Sequence, residues 1–208
     1  IYKRIYEIPD LYIENKLIST LKSIIKNQKN INLSLLSEIL SIPTFAEIES
    51  EINKIEPLKI YKTIDELNYL FGTKLKEELL NKLDVINKNI NKKWPEGKDE
   101  RKLTETIWKL LLYSKDENIK SKIISFADSD SMTLSKAAMN VFARINCSER
   151  ELISNMFFEK WKNNSVVLDN WFFFKASIEK DNNHKSIEDL FNNEYFDVKS
   201  PNSLRSIL

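Results

Sequence analysis

A catalytic site needs a nucleophile, a general base or a metal, and this sequence offers few residues for any of them. It has one histidine, His184, and one cysteine, Cys147. Together they fall short of the ligand set that a Cys/His zinc site requires. His184 sits in Lys180-Asp181-Asn182-Asn183-His184-Lys185, the most polar stretch of the chain. Acid–base work would need a carboxylate or nucleophile held against it, and the stretch reads instead as a solvated loop. Cys147 precedes Ser148, a candidate helix cap, where a thiol can ionise more readily. The plainer reading is a small residue at a helix junction. The carboxylate groups Glu77-Glu78 and Glu47/Glu49/Glu51 lie in lysine-rich helical segments and read as solvated faces with partners one turn away. No H-E-x-x-H helix, G-x-S-x-G turn or glycine-rich phosphate loop is present.

Two further features qualify as candidate sites. Arg205 follows Ser200-Pro201-Asn202-Ser203-Leu204, where proline and asparagine start a helix, so its guanidinium is expected to project from the first turn near a loop mouth. On the residues alone it reads as a surface arginine. The stretch from Phe157 to Ala176 holds two of the four tryptophans and five of the eleven phenylalanines. Such a cluster can line a ligand pocket, but aromatics at helical spacing are ordinarily core.

The elements that must position these residues are helices. Ile153, Phe157 and Trp161, flanked by Leu152 and Met156, make one apolar face, and Asn163-Asn164-Ser165 breaks the chain. Val167, Trp171 and Phe174 follow on one face, with Leu168, Phe172 and Phe173 making the helix apolar nearly all round. That predicts a helical hairpin whose second helix is buried on several sides. Upstream, a helix over 11–27 is capped by Asp10, with its stripe on Leu17, Leu21, Ile24 and Ile25. A shorter helix carries Leu33, Leu36, Ile39 and Leu40, and Thr44-x-x-Glu47 is a capping box. Pro57 opens a long helix weakened at Gly72 and continuing through Ile86. Residues 87–98, with Trp94-Pro95-Glu96-Gly97, read as a long loop or subdomain break. Shorter helices follow over roughly 100–113, 116–126, 133–145, 148–162, 166–177, 186–192 and 202 onward, with starts signalled by Ser148-x-x-Glu151 and Ser186-x-x-Asp189.

The composition agrees. The chain has 208 residues, 42% hydrophobic and 30% charged, with only two glycines and five prolines. So little turn chemistry excludes a many-stranded sheet, and the fold class is all-α: an α-solenoid of antiparallel helix pairs, armadillo- or HEAT-like. A net charge of +1 with interspersed signs argues against nucleic acid as a partner. No window is long and apolar enough for a membrane span, and a single cysteine agrees with a reducing, cytoplasmic setting. Because residue 1 is isoleucine, the chain is read as a fragment.

The pattern Lys160-Trp161, seven residues, Asp169-Asn170-Trp171-Phe172 resembles the K-W-x7-D-K-W-F segment in the C-terminal domain of the aminopeptidase N family of zinc metallopeptidases, bacterial members above all. Three further segments fall in the same order as in that family: Leu40-Ser41-Ile42-Pro43 with Glu47-Ile48, Asp130-Ser131-Met132-Thr133, and Ser200-Pro201-Asn202-Ser203-Leu204-Arg205-Ser206. The resemblance implies a parent enzyme that removes N-terminal amino acids from peptides with zinc held by H-E-x-x-H and a downstream glutamate. None of those ligands is in this sequence, so no cofactor is expected here and zinc belongs to the parent. It further implies a C-terminal solenoid that caps the catalytic domain of the same chain and encloses a chamber reached by peptide substrates. Arg205 matches an arginine that faces that chamber, and Trp161, Asp169, Trp171 and Phe172 of the matching segment are read as structural anchors of the hairpin. Lys175 departs from the glutamine usual before Ala176, and family members continue beyond Leu208, which implies a solenoid truncated at its C-terminal end. The expected organisation is a helical lead-in over 1–43 and the solenoid domain over 44–208, with the break at 87–98. An independent helical-repeat scaffold that binds another protein is the alternative.

Overall fold

The computed structural model describes residues 1–6, 11–27, 31–92, 95–178 and 183–207, all helix and connection. The proposed Asp10 cap, Trp94 in the 87–98 stretch and Leu208 lie outside them. Thirteen helices are present among the described residues: α1 (Tyr2–Tyr6), α2 (Leu11–Lys26), α3 (Leu33–Leu40), α4 (Phe45–Glu49), α5 (Pro57–Lys74), α6 (Lys76–Ile86), α7 (Lys98–Tyr113), α8 (Glu117–Ser125), α9 (Met132–Asn140), α10 (Glu149–Trp161), α11 (Ser165–Ala176), α12 (Asn183–Phe191) and α13 (Pro201–Ile207). They form two compact units, Ile1–Asp116 and Glu117–Leu208.

In the first unit α7 is the hub, packing against α3, α5 and α6. Its buried positions run nearly round the helix and include Leu103, Ile107, Trp108, Leu110 and Leu111, the pattern of a helix enclosed by neighbours. Gly72 marks the point of closest approach. A Cβ there would lie 2.0 Å from the Leu110 carbonyl oxygen, so α5 meets the α7 backbone where only hydrogen fits. The break between α5 and α6 falls not at Gly72 but at Leu75, with φ −104° and ψ 5°. Leu75 is itself fully buried, and its side chain holds the kink in the core.

The described residues of the 87–98 stretch lie inside this unit and are tied down by a residue the sequence reading passed over. Arg101, in the first turn of α7, turns back and donates from Nη1 to the carbonyls of Ile90 (3.1 Å) and Lys92 (2.8 Å) and from Nη2 to that of Glu96 (3.1 Å). Gly97 leads into the helix at φ +69°, a conformation costly for any residue with a Cβ. On α2 the buried face is Ile18, Leu21 and Ile25, while Leu17 is left 44% exposed. This corrects the expected stripe by one position. The helix packs on α6 through this face, and beside it the buried Glu78 carboxylate of α6 takes Lys22 at 3.2 Å and Lys26 at 3.4 Å.

In the second unit α11 is the hub, against α9, α10, α12 and α13. Three residues separate α10 from α11, so the two pack as an antiparallel hairpin. Ile153, Phe157, Leu168, Phe172 and Phe174 are fully buried, whereas Leu152 (52%) and Phe173 (59%) face solvent, two departures from the expected core. The capping predictions divide. The Thr44 box forms, the Thr44 amide donating to Glu47 at 2.7 Å and the Glu47 amide to the Thr44 hydroxyl. Ser148 instead has helical backbone and its hydroxyl donates to Glu149. Ser186 lies inside α12, which begins at Asn183.

Candidate functional site

Three of the four segments singled out in sequence are joined to one another by polar contacts in the second unit. Lys160 Nζ, near the end of α10, donates to the Asp128 carbonyl at 2.6 Å and reaches the Asp130 carboxylate at 3.1 Å. Beside it, the Trp161 indole donates to Ser135 Oγ at 3.1 Å, and Ser135 donates to the Ala127 carbonyl at 2.6 Å. One serine on α9 thus passes the hydrogen bond of the tryptophan on to the loop before it. Lys160 ties its amine to the same loop.

On α11 the Trp171 indole donates to Ser154 Oγ of α10 at 2.9 Å, which satisfies a group that would be costly to bury unpaired. Phe172 meets Trp171 and Phe196 edge to face, each at 5.1 Å between centroids. Phe158 stacks tilted on Trp171 at 4.7 Å and edge-on to Tyr195 at 5.3 Å. The aromatic rings therefore fill the space between helices with one another. Lys175, the departure from the family pattern, pairs with Glu151 at 2.7 Å and lies 5.8 Å from the Trp171 ring centre, so its charge is held by a carboxylate and an aromatic face.

Asp169 faces α13. Its Oδ1 accepts from the Ser203 hydroxyl at 2.7 Å, and the Ser203 amide donates to Ser200 Oγ at 3.3 Å. Ser203, Ser206 and Ile207 form the buried face of α13. Arg205 lies on the other side, exposed, with no hydrogen-bond or ion-pair partner among the described residues. It sits in the last turn, not the first, because the helix already starts at Pro201. There a cation also suits the negative end of the helix dipole.

The remaining candidates are dispersed. His184 is exposed in the first turn of α12, not in a loop. Cys147 is half-buried, and burial, with Glu149 beside it, pushes its thiol up, opposite to the activation considered from sequence. Glu78 corrects the solvated reading of the Glu77-Glu78 pair: it is 4% exposed. Burial drives its carboxyl upward, but a backbone amide and the two lysines of α2 outweigh that and hold it below the usual range. One turn on, Lys82 is also buried, and desolvation lowers its pKa. Among the described residues no three His, Cys, Asp or Glu side chains gather as a metal site. No described helix is long and apolar enough to cross a membrane. The segment Ile42-Pro43 and Glu47-Ile48 lines a groove of about 530 Å³ in the first unit, with Glu38 and Glu51 at its rim.

Comparison with known proteins follows this geometry. A family profile described as a domain of unknown function (DUF3458_C) with ARM repeats matches residues 2–208. With the all-helical structure this makes the fold an α-solenoid of armadillo type. Aminopeptidase N of Escherichia coli (strain K12) is 26% identical over 187 residues, 86% of this chain and 21% of that protein. Aminopeptidase N of Haemophilus influenzae is 23% identical over 193 residues, 92% of this chain and 22% of that protein. The chain thus spans about a fifth of the length of these curated relatives. The crystal structure of Legionella pneumophila aminopeptidase A in complex with aspartic acid shares the fold, with a TM-score of 0.78 at 21% identity over 91% of this chain and 23% of that one.

Proposed function

The chain belongs to the DUF3458_C family of ARM-repeat domains, and from that premise we propose that it is the noncatalytic helical domain of an aminopeptidase N-like zinc enzyme, capping the active-site chamber and limiting which peptides enter. The zinc, its ligands and the hydrolytic water belong to the rest of the parent polypeptide. The parts of this chain contribute enclosure and recognition. Arg205 is the recognition element: its guanidinium takes the carboxylate or a backbone carbonyl of a bound peptide, for which a planar multi-donor cation is suited.

The observation that supports this reading is the exposed, unpaired state of Arg205 on a helix whose opposite face is locked to α11. Arg205→Ala in the full-length polypeptide is expected to raise KM for peptides about tenfold, the cost of one charge-assisted hydrogen bond, while leaving turnover of a one-residue aminoacyl anilide unchanged. Equal effects on both substrates would overturn the role of Arg205. Purified alone, the chain is expected to bind no stoichiometric zinc and to cleave no anilide, and either activity would overturn the noncatalytic assignment.

A further inference from the structure

We infer that Asp169 is a positioning residue for Arg205, acting through Ser203 to set the roll of α13; this rests on the reading that Arg205 meets the peptide. The helix spans seven residues, too short for its own backbone hydrogen bonds to hold it in place. Its orientation must come from what it docks on. Residues two apart on a helix lie about 200° apart round the axis, so Ser203 and Arg205 occupy opposite sides. Ser203 is 5% exposed and its hydroxyl donates to Asp169 at 2.7 Å. Whatever fixes the direction of Ser203 fixes the opposite side from which the Arg205 side chain leaves the helix.

Asp169 is well placed to supply that constraint. It lies on the hub helix, between Leu168 and Trp171-Phe172, all buried, so its backbone is anchored by the core. The same serine is restrained a second time, its amide donating to Ser200 Oγ, and Ile207 adds an apolar contact at the far end of the helix. Ser203 is therefore the pivot, Asp169 its fixed point, and Arg205 the pointer. The sequence spacing explains the pairing of the two segments: Asp169 of the tryptophan hairpin and Ser203 of the proline-asparagine segment are one device.

The test is a set of variants in the full-length polypeptide, assayed on a tripeptide and on an aminoacyl anilide. Asp169→Ala is expected to raise tripeptide KM about tenfold, as Arg205→Ala does, with anilide kcat unchanged. Asp169→Asn, which keeps an acceptor oxygen, is expected to stay within about twofold of the parent. The double variant Asp169→Ala/Arg205→Ala is expected to match Arg205→Ala alone, because the two act as one unit. Additive effects, or an inert Asp169→Ala beside an impaired Arg205→Ala, would overturn the positioning role and leave that of Arg205 standing. An inert Arg205→Ala would instead remove the reading on which it rests. Should Asp169→Ala not fold, Ser203→Ala removes the same hydrogen bond from the other side. Loss of fold in both would make the link a structural one and end the proposal.

Discussion

At Gly72 a hydrogen atom is the largest side chain that the packing admits. Gly72→Ala would drive a methyl group against the Leu110 carbonyl, 2.0 Å from the ideal Cβ position, and the backbones of α5 and α7 would have to separate. The expected cost is about 3 kcal/mol, at the upper end for overpacked cores, read as a lower urea midpoint with unchanged slope. The sequence displays the glycine but not the carbonyl opposite, so it reads as a weak point in a helix when it is a contact. Arg101 is a similar case. It looks like any helical arginine, yet it donates to three carbonyls of the turn before its helix. Arg101→Met keeps the apolar stem and removes the donors, and is expected to cost about 3 kcal/mol, measured by chemical denaturation. Arg205 has the opposite history: an unremarkable surface residue on its own terms, it stood out through the segment that precedes it.

Helix boundaries were legible where a local signal decides them and were misread where a distant partner does. The Thr44 box and Pro57 are local, and both formed. The face that α2 buries is chosen by its packing on α6, more than fifty residues away in the chain, and the apolar residues within α2 allow more than one stripe. Ser148 carries a capping signal but has helical backbone and makes no cap hydrogen bond, and the Glu149 beside it pairs with Lys120 on α8 at 2.9 Å. The hydrogen bond from Lys120, first among the causes, lowers the Glu149 carboxyl from 4.5 to about 2. A depressed carboxyl contributes stability that is fully present above its unfolded pKa and is lost as pH falls through the folded one. The tie between α8 and α10 is thus intact above about pH 4.5 and disappears toward pH 2. Thermal melts of the parent chain are expected to lose stability across this window, and Glu149→Gln to flatten the loss. Because the pair is near the surface, added salt should shrink the difference. The serines that receive Trp161 and Trp171 were also invisible in sequence, since a small hydroxyl residue on a helix names no partner.

At the scale of the whole chain, the all-helical class and the solenoid rhythm follow from the scarcity of glycine and proline and from short connections, and these were open to inspection from the start. What composition does not reveal is that α11 touches four of the other five helices of the second unit, while in the first α7 carries the most extensive packing although it meets only α3, α5 and α6. Amides of these two hubs are expected to exchange most slowly, and those of α1 and α12 most rapidly, in a hydrogen-exchange experiment on the native chain. Uniform protection across helices would contradict the hub arrangement. The aromatic hairpin keeps its structural meaning and gains a practical one. Trp108 is buried in the first hub, while Trp161 and Trp171 are bound to serines in the second unit. Trp94 and Trp108 both belong to the first unit and Trp161 and Trp171 to the second, so replacing both Trp94 and Trp108 with phenylalanine would let ultraviolet emission follow the melting of the second unit alone.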